Sequence, residues 1–172
     1  LSGTIRTDYQ RSLANLASVA AQMVDPALHR SLNDPAQHNG PEYLRAVEPL
    51  RRLRTSLPEV RYIYTAVKDG ALVRFVLDAA LPGDQDGDGL NDQASLWEVY
   101  TDSDPAMLIA FGDDSTVGRA VGTDQPYSDK WGSFMTGWAP LIDRAGVQYG
   151  ALGIDVDAST YAAHLHQAGV WA

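Results

Sequence analysis

The sequence predicts an α+β fold: an antiparallel sheet of about five strands with a long N-terminal helix packed on one face. Apolar residues recur at helical spacing as far as Leu57. The period then changes to two in a pair of segments, each broken by a short turn rich in Asp and Gly, and helical character returns after Asp157.

In the first segment Ile5, Tyr9, Leu13, Leu16, Ala20 and Met23 draw an apolar stripe along a helix over Thr4–Val24. Pro26 ends it, and Asp25 with Pro26 makes an N-cap and first-turn pair for a short helix through His29 and Leu32. Asn33 to Gly40 reads as a loop. Pro41 starts a further helix with Leu44, Val47, Leu50, Leu53 and Leu57 on one face, kinked at Pro49. Arg45, Arg51, Arg52 and Arg54 lie largely off that face and read as solvated.

Val60–Val67 and Leu72–Ala79 form a hairpin around Lys68-Asp69-Gly70-Ala71. A long crossover follows, with a short strand or turn at Leu96–Tyr100 and a helix opened by Asp104-Pro105; Gly112 to Asp129 shows little period and reads as loop. Phe134–Ile142 and Val147–Val156 make a second hairpin around Asp143-Arg144-Ala145-Gly146, and Ala158–Val170 is a final helix with Asp157 as its N-cap. The domain organisation expected is one unit over 1–172: helices over 1–57, sheet and crossover over 58–157, and a C-terminal helix over 158–172.

With 172 residues, 45% of them hydrophobic, the chain can bury one sizeable core. Its net charge of -9 argues against a nucleic-acid partner or an anionic membrane surface. Without Cys there is no disulfide and no thiolate metal site. No run of 18 apolar residues occurs, and the start at Leu1 reads as that of an excised or processed domain. GxGxxG, P-loop, GxSxG and HExxH patterns are absent, so neither nucleotide binding nor these hydrolase chemistries has support.

The charge is not spread evenly. Leu81 to Gly118 holds nine acidic residues and no Lys or Arg, while the rest of the chain is balanced. Within it, Asp84-Gln85-Asp86-Gly87-Asp88-Gly89-Leu90-Asn91-Asp92 has the spacing of a calcium loop, with Asp84, Asp86, Asp88, the Leu90 carbonyl and Asp92 as ligands and Gly89 at the sharp turn. Position twelve is Ser95 where an EF-hand has Glu, so Glu98, Asp102 or a distant carboxylate would complete the shell. Structural calcium is the expected cofactor; a solvated acidic loop is the plainer alternative.

Val60-Arg61-Tyr62-Ile63-Tyr64-Thr65, Phe75-Val76-Leu77-Asp78-Ala79, Trp131 to Leu141 and Gly150 to Asp157, in that order and behind a long first helix, resemble the Cache or PDC sensor domains of bacterial membrane receptors. The resemblance spans nearly the whole chain. It implies a PAS-like fold held between two membrane helices, on the periplasmic or extracellular side of the plasma membrane. A cytoplasmic output would follow, such as a histidine kinase, a diguanylate cyclase or a chemotaxis module.

In the family the pocket lies between the sheet and the crossover loops, on the strand face opposite the first helix. Strand alternation then nominates Tyr62, Tyr64, Arg74, Asp78, Trp131, Ser133 and Trp138, with Trp97, Tyr100 and Tyr127 reaching in from the crossover. Arg74 needs a partner inside a strand, either an anionic ligand or Asp78 or Asp155. Amino-acid-binding members carry a Trp-Tyr pair where this chain has Trp131-Gly132 behind Lys130, so that ligand class does not carry over. His164 and His166 point to different sides of a helix and read as surface residues.

The expected function is therefore extracytoplasmic sensing of a small, anionic ligand, in a homodimer whose first helices pair in parallel. A calcium-stabilised extracellular binding or adhesion module is the alternative, and an acid–base hydrolase using Asp78 and Glu98 a third.

Overall fold

The computed structural model describes residues 3–101, 104–129, 132–159 and 163. Its elements are helix α1 (Gly3–Ala21), helix α2 (Pro26–Ser31), a 3₁₀ turn (Pro35–Gln37), helix α3 (Pro41–Ser56), strands β1 (Val60–Asp69) and β2 (Leu72–Asp78), helix α4 (Pro105–Phe111), and strands β3 (Val121–Gly122), β4 (Tyr127–Asp129), β5 (Gly132–Ile142) and β6 (Gln148–Asp157). The six strands form one antiparallel sheet in the order β2-β1-β6-β5-β3, with β4 also pairing β5. The expected loop over Gly112–Asp129 thus contains two strands, too short to carry a period of their own. The expected final helix falls almost entirely outside the described residues, as do His164 and His166. Asp157 does accept a hydrogen bond from the Ser159 N–H at 2.8 Å.

Helix ends follow local chemistry. The Asp25 carboxylate accepts from the Leu28 N–H, Asp34 and Gln37 close a reciprocal cap around the 3₁₀ turn, and Asp104 accepts from Met107 at the start of α4. Helix α3 is one continuous element with Pro49 inside it. Its buried face is Tyr43, Ala46, Val47 and Leu50, whereas Leu44, expected inside, is 45% exposed. Tyr43 takes the inner position because its hydroxyl has a buried partner: it accepts from the Asp78 N–H at 2.9 Å and donates to the Asp78 carbonyl at 3.3 Å.

The arginines of α3 are not all solvated. Arg51 donates to the Ala79 and Ala80 carbonyls, and Arg54 Nε donates to the Arg61 carbonyl at 2.8 Å. Both satisfy backbone acceptors where β2 ends and β1 begins, and so tie helix to sheet.

Among the described residues, buried apolar side chains cover both faces of the sheet. On one face Ile63, Leu77, Ala139, Leu141, Leu152 and Ile154 pack against Ala17, Ala20, Tyr43, Val47 and Leu50 of α1 and α3. On the other, Tyr62, Tyr64, Phe75, Phe134 and Trp138 pack against Tyr100 and against Met107, Ala110 and Phe111 of α4. Helices therefore lie on both faces, and the crossover covers the aromatic one. Helix α1 sits close because glycines lie beneath it: a Cβ on Gly137 would come within 2.2 Å of the Leu13 carbonyl oxygen, and one on Gly122 within 2.4 Å of that of Gln10. Gly122 and Gly137 are register partners in β3 and β5.

Opposite Thr65 of β1, strand β2 carries an extra residue between Phe75 and Asp78, a bulge that breaks the ladder. There the Thr65 hydroxyl, not a carbonyl, accepts from the Leu77 N–H at 3.0 Å, and it also contacts Nε2 of the buried His29 at 2.8 Å. Burial, reinforced by Arg30, pushes the His29 pKa down to about 3, so the ring is neutral at physiological pH.

Candidate functional site

The aromatic face converges on Tyr64. Its ring lies edge-on to Phe75 at 5.6 Å and to Trp138 at 5.5 Å, and stacks with Tyr100 at 6.2 Å between centroids. It fits because its register partner on β6 is Gly153, where a Cβ would meet the ring at 2.8 Å. The Tyr64 hydroxyl reaches two residue pairs further, to the Tyr62 level of the ladder, and donates to Asp155 Oδ1 at 3.0 Å. The Thr136 hydroxyl of β5 donates to the same oxygen at 2.7 Å.

Asp78 closes the cluster from β2. Its carboxylate accepts from the Ala80 N–H and, across the crossover, from the Ala94 N–H, each at 2.9 Å. Burial nevertheless raises its pKa to about 6, the two backbone donors only partly opposing it. Tyr62, Tyr64, Phe75, Asp78, Asp92, Tyr100 and Asp155 enclose about 10 Å³ of free space, room for one water. Tyr62 and Asp92 also wall an outer cleft of about 180 Å³, completed by Arg54, Arg61, Ala80, Leu81, Gln85 and Asp86. A larger open groove of about 450 Å³ lies at the opposite end of β1, around Val67, Lys68 and the turns at 113–117 and 146–150. Its Asp113 carboxylate is occupied locally by Ser115 and Thr116, so it offers fewer convergent groups than the smaller cleft.

Of the residues the sequence nominated, Tyr62, Tyr64, Asp78, Tyr100 and Trp138 come together here. Arg74 does not. It binds Asp69 across the hairpin, Nε to Oδ2 at 2.6 Å, and donates to the Trp97 carbonyl at 3.0 Å, so its partner is neither Asp78 nor Asp155. Trp97 packs against the core shared with α1 and α3, with φ of 71°, and Ser133 is exposed on β5. Tyr127 pairs with Phe134 through its backbone, its side chain lying outside the described part, and Trp131 lies outside the described residues altogether. Asp92 enters the cluster although it was nominated only for the cation loop. Asp155 and Phe75 enter as well; the alternation that selected Tyr62 and Tyr64, carried across to β6, puts Asp155 opposite Tyr62.

In the acidic loop, oxygens of Asp84, Asp86, Asp88 and Asp92 all lie within 4.8 Å of one another. Asp84 accepts from the Gly87, Asp88 and Gly89 N–H groups, which hold its carboxyl below the usual range. Asp88 accepts from Leu90, and Arg61 stands 3.4 Å from Asp86. Glu98, expected to help complete the shell, accepts instead from the Ser95 N–H, and Asp102 lies outside the described residues.

No family model matches the chain, and no curated protein matches it. Among solved structures it is similar to the ligand-binding domain of the Campylobacter jejuni chemoreceptor Tlp3 in complex with L-valine, at 18% identity and a TM-score of 0.42. The match covers 91% of this chain and 62% of that one, so the chain spans less than two thirds of the length of that domain. Among the described residues no helix is long and apolar enough to cross a membrane.

Proposed function

We propose that this chain is the extracytoplasmic ligand-sensing domain of a bacterial membrane receptor of the Cache type, and that it takes a small molecule on the aromatic face of its sheet. The observation that carries the reading is the buried constellation of Tyr64, Thr136 and Asp155, drawn from three strands onto one carboxylate oxygen. Hydroxyls and carboxylates facing an aromatic cluster are the usual furniture of a site that orients a small polar ligand. The ligand enters through the outer cleft between Tyr62, Arg61 and Asp92, and its arrival shifts the Tyr62 and Tyr64 rings apart, since the inner space alone holds one water.

The expectation of an anionic ligand rested on Arg74, which faces away. Among the described residues the inner lining carries Asp78, Asp92 and Asp155 and no cation, which favours a ligand that presents hydrogen-bond donors. Pairing of two copies along α1 belongs to the same reading, with Val19 and Met23 as exposed apolar residues on and just beyond that helix. Light scattering across a concentration series tests it; a species that stays monomeric throughout overturns the pairing.

The ligand claim is tested by thermal-shift screening of amino acids, small amines and carboxylic acids, with Tyr64→Phe as control. A hit that is lost in the variant supports the site. A hit unaffected by the variant moves binding elsewhere, to the groove beside Lys68 or to another surface.

A further inference from the structure

The acidic loop is the most highly charged part of the chain, and it shares Asp92 with the lining of the aromatic cleft. We propose that Asp84, Asp86, Asp88 and Asp92 hold one calcium ion, with the Leu90 carbonyl and water completing its shell. The two readings share Asp92, but calcium binding is measured without a small-molecule ligand, so either can fail without the other.

Two separate observations support it. The first is geometric: oxygens from the four carboxylates fall within 4.8 Å of each other, the span of two ligands placed on opposite sides of an ion at about 2.4 Å. The second comes from Asp92, which is only 6% exposed. One of its oxygens accepts from the Gln85 N–H at 2.7 Å, while the other, Oδ1, is buried with no hydrogen-bond partner. A carboxylate oxygen removed from water without a donor is costly, and a cation at the loop centre supplies what it lacks. The one guanidinium that pairs with the four carboxylates among the described residues is Arg61, at 3.4 Å from Asp86.

The donor set decides the metal. Every side-chain ligand is a carboxylate oxygen, which selects a hard cation over zinc or copper. A loop of alternating carboxylates, one carbonyl and open water positions suits the irregular shell of six to eight ligands that calcium accepts. Magnesium demands near-ideal octahedral geometry at shorter distances. Without a bidentate Glu at position twelve, affinity falls toward that of extracellular modules rather than of cytosolic buffers.

The test is calorimetric titration of the intact, chelator-treated chain with calcium chloride. One ion should bind per chain, the melting temperature should rise, and Asp86→Asn and Asp88→Asn, both at exposed positions, should each weaken binding by about tenfold or more. Terbium gives a second readout, because Tyr62 lines the same cleft as Asp86 and Asp92 and can sensitise its luminescence. Calcium should displace terbium at lower concentration than magnesium does. Absence of heat and of any melting shift at millimolar calcium overturns the proposal. So does binding that both variants retain, and equal displacement by magnesium overturns the assignment to calcium.

Discussion

Tyr64 Oη donates to Asp155 Oδ1 across 3.0 Å, from β1 to the neighbouring strand β6, over a glycine that leaves room for its ring. Because Thr136 donates to the same oxygen, Asp155 stays bonded when the phenol is removed. Tyr64→Phe should therefore fold, with a loss of about 1 to 3 kcal/mol for a hydrogen bond to a buried carboxylate. Urea unfolding measures it. Gly153→Ala should cost more than the phenol, since its Cβ forces the Tyr64 ring out of place.

The close seat of α1 on the sheet makes a second prediction. At Gly137 a Cβ meets backbone, which cannot swing aside, so Gly137→Ala should displace the helix and destabilise the fold by roughly 2 kcal/mol or more. An equally stable variant by thermal unfolding would show that α1 is not held against β5 at that spacing.

Arg74→Ala should change little. Its contacts are a partly exposed ion pair with Asp69 and one carbonyl, worth about 1 kcal/mol together, and it stands outside the aromatic cleft. Stability within that margin and undiminished ligand-induced stabilisation are the expected results; loss of ligand response would return Arg74 to the site.

His29 and Asp78 make opposing contributions to acid stability. Unfolded, His29 takes up a proton near 6.5 but folded only near 3, so protonation favours the unfolded chain and stability falls as pH drops between those values. Folded Asp78 takes up its proton near 6 and unfolded Asp78 near 3.8, so stability rises as pH drops through that window. Between about 3.8 and 6 the two offset each other at about 1.4 kcal/mol per pH unit each. Relative to the parent, His29→Gln should gain stability steadily as pH falls below 6.5. A difference curve that stays flat from pH 7 to 4 would mean that His29 titrates normally.

Much of the architecture is legible in the residues because it depends on local period and capping. The hairpins at Lys68–Ala71 and Asp143–Gly146, and the caps at Asp25 and Asp104, need no knowledge of distant chain. What is not legible depends on register. Leu44 and Tyr43 are both plausible inner residues of α3, and only the Asp78 backbone, 35 positions on, selects Tyr43. Arg74 faces away from the cleft because β2 carries an extra residue between Phe75 and Asp78, so two positions that simple alternation puts on one face fall on opposite faces, and Arg74 bonds Asp69 and the Trp97 carbonyl instead. Asp92 joins both the loop and the cleft through a fold of the crossover that has no period at all.

The central claim, that a small molecule binds on the aromatic face, is tested most directly by calorimetric titration of a screening hit into the intact chain, into Tyr64→Phe and into Arg74→Ala. The account predicts one site per chain, binding at least about tenfold weaker in Tyr64→Phe, and parent-like binding in Arg74→Ala. Equal affinity in the parent and Tyr64→Phe, or loss confined to Arg74→Ala, would contradict it.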